Sequence, residues 1–507
     1  MAAPLRADPM ETADKAFQIA QSVQNSAAAQ AVQQIALRLA LKEGGLEHLA
    51  LERRDLTERL AAARSDPDLD DGARRRTVEQ LDTALLVNTR ALAAGFPGYR
   101  DIVAPDPLTI AEAQSLMAPD EALIQMHQGS EWLTIWMISQ AHVIWHRLPV
   151  TELDAADLVS AFRVGMGLGG TLRAAAALDD GADDAPLQPF NVALGANLYQ
   201  LLFAAYGTQL AGYEHLMIVA DKAWIGLPFG ALLTDYSDSA RSPGPRMLRE
   251  ASWMGMNHAI TMLPSAISLR SARAPAATSG AATTLLALGD PLFGGTQSAA
   301  DVARSASGVR LSDLAPLPGT RREVEAIAAN FDAPQVLLGA AATEAAVRSA
   351  DLTQQDVIVF ATHGLIAGEL QGLAEPALAL TPPATPSAED DGLLTAGEVA
   401  GLTLDADWVV LSACNTAAGD GAGAEGLSGL ARAFFAAGAQ TLLVSHWPVR
   451  DDAAARLTAA AFAEMRADPS LRKAEAMRRA MRALMQDTSD PTLSHPTAWA
   501  PFFVVGG

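Results

Sequence analysis

The chain has a single cysteine in 507 residues, Cys414. An internal disulfide is therefore excluded, and a reducing compartment is the expected setting. Positive charge is also scarce: 36 basic residues stand against 58 acidic ones, a net charge of −22. Binders of nucleic acid or anionic membranes need a basic surface, so neither partner is expected. No uninterrupted apolar run approaches the roughly 20 residues needed to cross a bilayer. The start, Met1-Ala2-Ala3-Pro4-Leu5-Arg6, lacks the apolar stretch of a secretion signal. These absences point to a soluble, cytoplasmic protein. Metal-ligand spacing is missing too. The histidines at 127, 142, 146, 215 and 258 are scattered, read as structural or surface residues, and suggest no metal or cofactor.

What is present is ample apolar material, half of all residues, and enough length for roughly three domains of about 150 residues. Residues 11–96 carry apolar side chains at helical spacing: Phe17, Ile19, Ala20 and Val23, then Val32, Ile35 and Leu39, and later Leu81, Leu85, Leu86 and Leu92. Gly44-Gly45 and Asp70-Asp71-Gly72 break the pattern. Three helices packed as hairpins fit it, so residues 1–106 read as a helical segment. Such helices serve as scaffold or docking surface.

From 107 the texture becomes α/β. Short apolar runs at 121–126, 132–138 and 142–146 read as a meander, with further strands at 215–220 and 258–263 and helices near 152–165 and 190–206. A small, polar stretch at 273–284 has linker composition. Strands then alternate with helices: strands at 285–288, 335–338, 357–361, 408–412, 440–446 and 502–505, helices at 321–330, 342–350, 427–437 and, as a pair, 453–486. Alternation of this kind argues a mostly parallel sheet with helices on both faces.

Two of those strands lead into reactive residues. Val357-Ile-Val-Phe-Ala361 runs into Thr362-His363-Gly364, and Trp408-Val-Val-Leu-Ser412 runs into Ala413-Cys414-Asn415, with His363 51 residues upstream of Cys414. Chemistry in an open parallel sheet collects beyond the carboxyl ends of its strands. A lone cysteine is most often a small buried hydrophobe. Here, however, a histidine occupies the equivalent end of another strand. Thiol catalysis needs a nucleophile, a proton carrier and donors for the developing oxyanion. Cys414 and His363 fit the first two roles. The backbone N–H groups of Gly364 and Cys414 fit the third.

Two neighbouring patterns carry competing readings. Gly421-Ala-Gly423-Ala-Glu-Gly426 matches a dinucleotide fingerprint, but six residues separate it from Cys414, whereas the fingerprint begins at the strand end. A glycine loop beside the nucleophile fits better. At the end of 440–446, Asp451 or Asp452 is placed to cap the helix that follows. The alternative is a carboxylate lining a specificity pocket.

A histidine about 50 residues before the cysteine is the caspase spacing. More closely, the chain resembles the CHAT family, caspase-like domains attached to TPR repeats. The resemblance rests on Leu317-Pro-Gly-Thr-Arg-Arg-Glu-Val324, Ala342-Thr-Glu344, Phe360-Ala-Thr-His-Gly364, Asp391-Gly-Leu-Leu-Thr395 and Val410-Leu-Ser-Ala-Cys-Asn-Thr416. Further matches are Gly426, Ala437-Gly-Ala439, Trp447-Pro-Val-Arg-Asp451, His495-Pro496 and Trp499-Ala-Pro-Phe502. Together they cover about residues 195–507.

This resemblance implies a caspase-like α/β sheet flanked by helices. It divides the chain into the helical segment 1–106, an inactive caspase-like lobe at 107–272, the linker 273–284 and a catalytic domain at 285–507. It implies a cysteine endopeptidase of the caspase and separase clan, with His363 and Cys414 as its dyad, a protein substrate, and a bacterial defence or regulated cell-death pathway. Asp451 is similar in position to an acidic residue that accepts a basic P1 side chain in separase. The helices at 11–96 offer a place for an activating protein partner. The competing class is a catalytically silent scaffold that keeps the fold and binds partners.

Overall fold

The computed structural model describes residues 9–24, 71–95, 106–168, 190–235, 244–273, 284–294, 310–370, 372–387, 390–413, 429–447 and 449–506, with 49, 52, 56, 59, 60 and 63 between them. The chain divides into two compact units, Met1–Ala28 with Leu108–Gly507, and Ala29–Pro107.

The larger unit is built on one sheet of eleven strands. In chain order these are β1 (Glu121–Gln128), β2 (Leu133–Ser139), β3 (Val143–Leu148), β4 (His215–Val219), β5 (Ala259–Met262), β6 (Leu285–Gly289), β7 (Gln335–Leu338), β8 (Val357–Ala361), β9 (Trp408–Ser412), β10 (Thr441–Ser445) and β11 (Phe502–Gly506). Their spatial order is β3-β2-β1-β4-β5-β11-β10-β9-β8-β6-β7. The central strands β4, β6, β8, β10 and β11 are buried along their whole length. That explains why each reads as a continuous apolar run rather than an alternating one.

Strands β2 and β3 run antiparallel at one side, and from β1 to β7 along this order the strand direction changes once. Strands β1, β4, β5 and β11 run parallel to one another, and β10, β9, β8, β6 and β7 form a second parallel set. The sets meet at the antiparallel pair β10–β11, where Ser445 lies opposite Phe502. The carboxyl ends of the two sets therefore lie at opposite edges of the sheet. Strands from both sides of the 273–284 segment share this sheet, joined through β5 and β11.

Helices cover the faces. Helix 318–328 has Pro318 at its first turn, where the missing N–H costs nothing, and buries Val324 and Ile327. Helices 451–467 and 473–486 pack on each other. Helix 9–23, which the apolar spacing placed in the helical segment, packs in the larger unit. Its Phe17 is fully buried with Trp136 of β2, ring centroids 6.0 Å apart. Gln21 exchanges two hydrogen bonds of 2.9 Å with the backbone of Leu108. In the smaller unit Leu56, Leu60 and Ala63 pack against Leu81 of helix 71–95.

Three of the first lobe's histidines are hydrogen-bonded to neighbours. The His215 Nε2 pairs with Thr261 Oγ1 at 2.9 Å, His258 Nδ1 donates to the Tyr213 carbonyl at 2.6 Å, and His142 Nδ1 pairs with the Tyr213 hydroxyl at 3.0 Å. Burial, reinforced by Arg472, pushes His215 down to about 4.

Candidate active site

The site forms where β8 and β9 end. They are parallel neighbours, with Val357 opposite Trp408 and Ala361 opposite Ser412. The Thr362 N–H extends the ladder by one bond, donating to the Ser412 carbonyl at 3.3 Å. His363 and Cys414 thus each stand two residues beyond the same register pair. Cys414 lies outside the described residues, and the chain leading into it is described through Ala413. That lead-in is held from the other side as well, because the Ser445 hydroxyl of β10 donates to the Ala413 carbonyl at 2.9 Å. The glycine pattern 421–426 lies outside the described residues too.

His363 is fixed by its backbone and its ring. Its carbonyl accepts from the Ala379 N–H at 3.0 Å, and the Thr362 hydroxyl donates to the Ala379 carbonyl. Ala379 belongs to a small antiparallel sheet of strands 364–365, 377–379 and 393–395 that starts immediately after His363. The ring lies 5.5 Å from Phe293, beside an apolar cluster that includes Leu365 and Leu373. Its Nε2 is 2.8 Å from the Ala315 carbonyl oxygen. A carbonyl only accepts, so Nε2 carries the hydrogen. In the neutral ring, Nδ1 is then the basic nitrogen. Burial holds His363 below its usual value of 6.5, against the opposing pull of the Ala315 carbonyl. The ring is therefore mostly neutral at pH 7, as a general base requires.

Gly364 opens the strand 364–365 and pairs with Leu378. The other expected oxyanion donor, the Cys414 N–H, lies outside the described residues. Asp451 is the first residue of helix 451–467, and Arg450 stands at the N-cap with no side-chain cap. The expectation that Asp451 or Asp452 caps this helix is therefore corrected. Arg450 is held to Asp452 at 2.8 Å and to Asp490 at 3.1 Å, so Asp452 is engaged at the loop. The Asp451 carboxylate rests on the first turn of helix 318–328, so close to Gly319 that a Cβ there would occupy the carboxylate's position. A helix N-terminus favours a nearby negative charge.

A second histidine stands at this edge, just after β10. His446 is sandwiched between Trp447 and Phe503, with centroids 5.8 and 4.1 Å away, and its carbonyl accepts from Arg163 at 2.9 Å. Burial, then the Arg163 charge, hold it well below its usual value. It is a neutral core ring. Among the described residues, no group of three or more His, Cys, Asp or Glu side chains is placed to hold a metal ion. None of their helices is long and apolar enough to cross a membrane.

The residue that spacing alone did not reveal is Ala315. Its contribution is a backbone carbonyl, which carries no side-chain signature. The only sequence signal was its position two residues before the Leu317–Val324 motif.

A large mixed sheet flanked by helices defines the class: an α/β protein, with the candidate site beyond the carboxyl ends of two adjacent parallel strands. Within that class the CHAT domain matches residues 192–507, more than half of the sequence, and the chain belongs to the CHAT family. Among curated relatives it is 32% identical over 221 residues to tetratricopeptide repeat protein 28 of Mus musculus and 31% identical over 220 residues to its Homo sapiens counterpart. Each match covers 38% of this chain but only 9% and 8% of those much longer proteins. Among solved structures, it is similar to the Saccharomyces cerevisiae separase–securin complex, with a TM-score of 0.42, 10% identity, and coverage of 90% of this chain and 37% of that one. It is also similar to the Arg-specific cysteine proteinase gingipain R, with a TM-score of 0.37, 11% identity, and coverage of 70% and 74%. The family assignment rests on the CHAT match.

Proposed function

We propose that the chain is a cysteine endopeptidase whose dyad is His363 and Cys414. The observation that supports the reading is the β8–β9 register pair Ala361–Ser412, since each dyad residue follows its member of that pair by two positions in sequence. The Ala315 bond supports it by leaving Nδ1 of His363 as the basic nitrogen. In the proposed reaction the Cys414 sulfur attacks the peptide carbonyl and an S–C bond forms. The thiol proton moves through His363 to the leaving amine as the C–N bond breaks. Water, deprotonated by His363, then displaces the sulfur, releasing the acid and restoring the thiol. The N–H groups of Gly364 and Cys414 serve the oxyanion. The lobe at 107–272 acts as an inactive caspase-like companion to the catalytic domain at 285–507. A bacterial defence or cell-death pathway, with an activating partner on the helices at 11–96, completes the reading.

The test is cleavage of a proteome-derived peptide mixture, comparing wild type with Cys414→Ala by mass spectrometry of new termini. Cuts made only by wild type are expected, with Arg or Lys at P1. Asp451→Asn should weaken that preference about tenfold in kcat/KM. An unchanged preference would remove Asp451 from the pocket. No cuts by wild type, together with partner binding that survives in the cysteine variant, would favour a scaffold.

A further inference from the structure

Behind the site lies a carboxyl group that the dyad chemistry does not use. Glu323, on helix 318–328, is 2% exposed. One of its oxygens is 2.9 Å from the Ser412 hydroxyl, at the end of β9. The other is 3.1 Å from the Thr458 hydroxyl, on helix 451–467. Its two bonds thus tie the strand that leads into Cys414 to the helix that begins with Asp451. We propose that Glu323 is a positioning residue, a clamp that sets the end of β9, and so the entry to Cys414, against the helix carrying the acidic pocket residue. The clamp rests on the peptidase reading only for its catalytic consequence, since the geometry stands apart from it.

Among the described residues, the charge that acts on Glu323 comes from no cation. Strands β6, β7 and β8, on which helix 318–328 packs, carry no charged residue. Arg321 of the same helix is turned to Asp290 at 2.7 Å, and Arg322 and Glu325 are exposed. On helix 451–467 the charge that acts on Glu323 is Asp451. Asp452, Arg456, Glu464 and Arg466 are paired with Arg450, Asp487, Arg479 and Asp332. Burial pushes Glu323 up to about 7, the Ser412 and Thr458 hydroxyls oppose this, and the Asp451 charge adds to it. The folded state thus favours the protonated acid. The stability this contributes is complete below 4.5 and is lost as pH rises through about 7. Above that, a buried carboxylate faces Asp451, and the clamp is under strain.

The protonated acid is mimicked by glutamine, whereas alanine removes the partner of the half-buried Ser412 hydroxyl and leaves Thr458 only the Ala454 carbonyl. Peptide cleavage by Glu323→Gln and Glu323→Ala is therefore measured from pH 5 to 9 beside wild type. In parallel, the rate of iodoacetamide labelling is followed, which reports on Cys414 alone because it is the only cysteine. The alanine variant should lose about 100-fold in kcat with KM within about threefold, the size of a sub-ångström to 1 Å misplacement. The glutamine variant should recover most of that loss. It should also lack the inflection near pH 7 that wild type shows in both kcat and labelling rate. If both variants reproduce the wild-type kcat and both pH profiles, the clamp is overturned. Should the alanine variant fail to fold, an unchanged pH profile in the glutamine variant overturns it equally. If wild type cleaves nothing, the peptidase reading fails, and labelling still decides the clamp: a lost inflection supports it, while superimposed profiles refute it.

Discussion

The two halves of the sheet repeat one arrangement with different residues. In the second half, Ala361 of β8 pairs with Ser412 of β9, and two residues further come His363 and Cys414. In the first half, Gln125 of β1 pairs with Val219 of β4, and two residues further come His127 and Asp221. There the two side chains meet, with His127 Nδ1 3.3 Å from Asp221 Oδ2. The same carboxylate oxygen accepts the Gln128 N–H at 2.8 Å, and the Gln128 side chain accepts from Trp224 at 2.9 Å. Register thus brings position plus two of adjacent parallel strands within reach of each other, while residue identity decides what the pair does. In the first half the partner is an aspartate whose oxygen also takes the Gln128 N–H. In the second half His363 is steadied by one backbone carbonyl, which leaves its Nδ1 as the basic nitrogen.

The largest effect separates the halves by activity. His363→Ala should reduce peptide cleavage by at least about 10³-fold, whereas His127→Ala should change it by less than about twofold. A comparable loss at both histidines would break the contrast. The next separates them by stability. Phe17→Ala empties a fully buried site against Trp136 in the first half. It should cost about 3–5 kcal/mol in denaturant unfolding, with kcat unchanged in the protein that remains folded. Gly319→Ala acts at the second edge, where a Cβ meets the Asp451 carboxylate. A cost of about 1–3 kcal/mol is expected, with a raised KM for substrates bearing a basic P1. Smallest at neutral pH is an acid effect in the first half. The folded value of His215 lies near 4, below its usual 6.5. Its neutral form stabilises the fold above 6.5, and that contribution is lost as pH falls through 4. His215→Gln should flatten this part of the Tm profile, and an identical slope would remove His215 as its source.

Much of this was legible as sequence. The strands 357–361 and 408–412 have the bounds that their apolar runs suggest, because burial on both faces demands continuous β-branched residues and polar neighbours end the run. The position of His363, two residues past the strand 357–361, was legible from its place after such a run. The reversal between β10 and β11 was not, since nothing local in Phe502–Val505 encodes which neighbour it joins. The His127–Asp221 pair was invisible for a similar reason, as it depends on a register between strands about 90 residues apart. Glu323 stood in the sequence only as part of the Leu317–Val324 motif. Its partner Thr458 is 135 residues away in sequence. The capping expectation at 451–452 failed because Arg450 takes the cap position and draws Asp452 to itself.

Three contacts described above come from one short run of chain at four-residue intervals: the Ala315 carbonyl on His363, Gly319 beneath Asp451, and Glu323 on Ser412. Anyone transplanting this site to another sheet would have to move that run as a single part. Copying only the histidine and the cysteine would bring the reagents without the jig that aligns them.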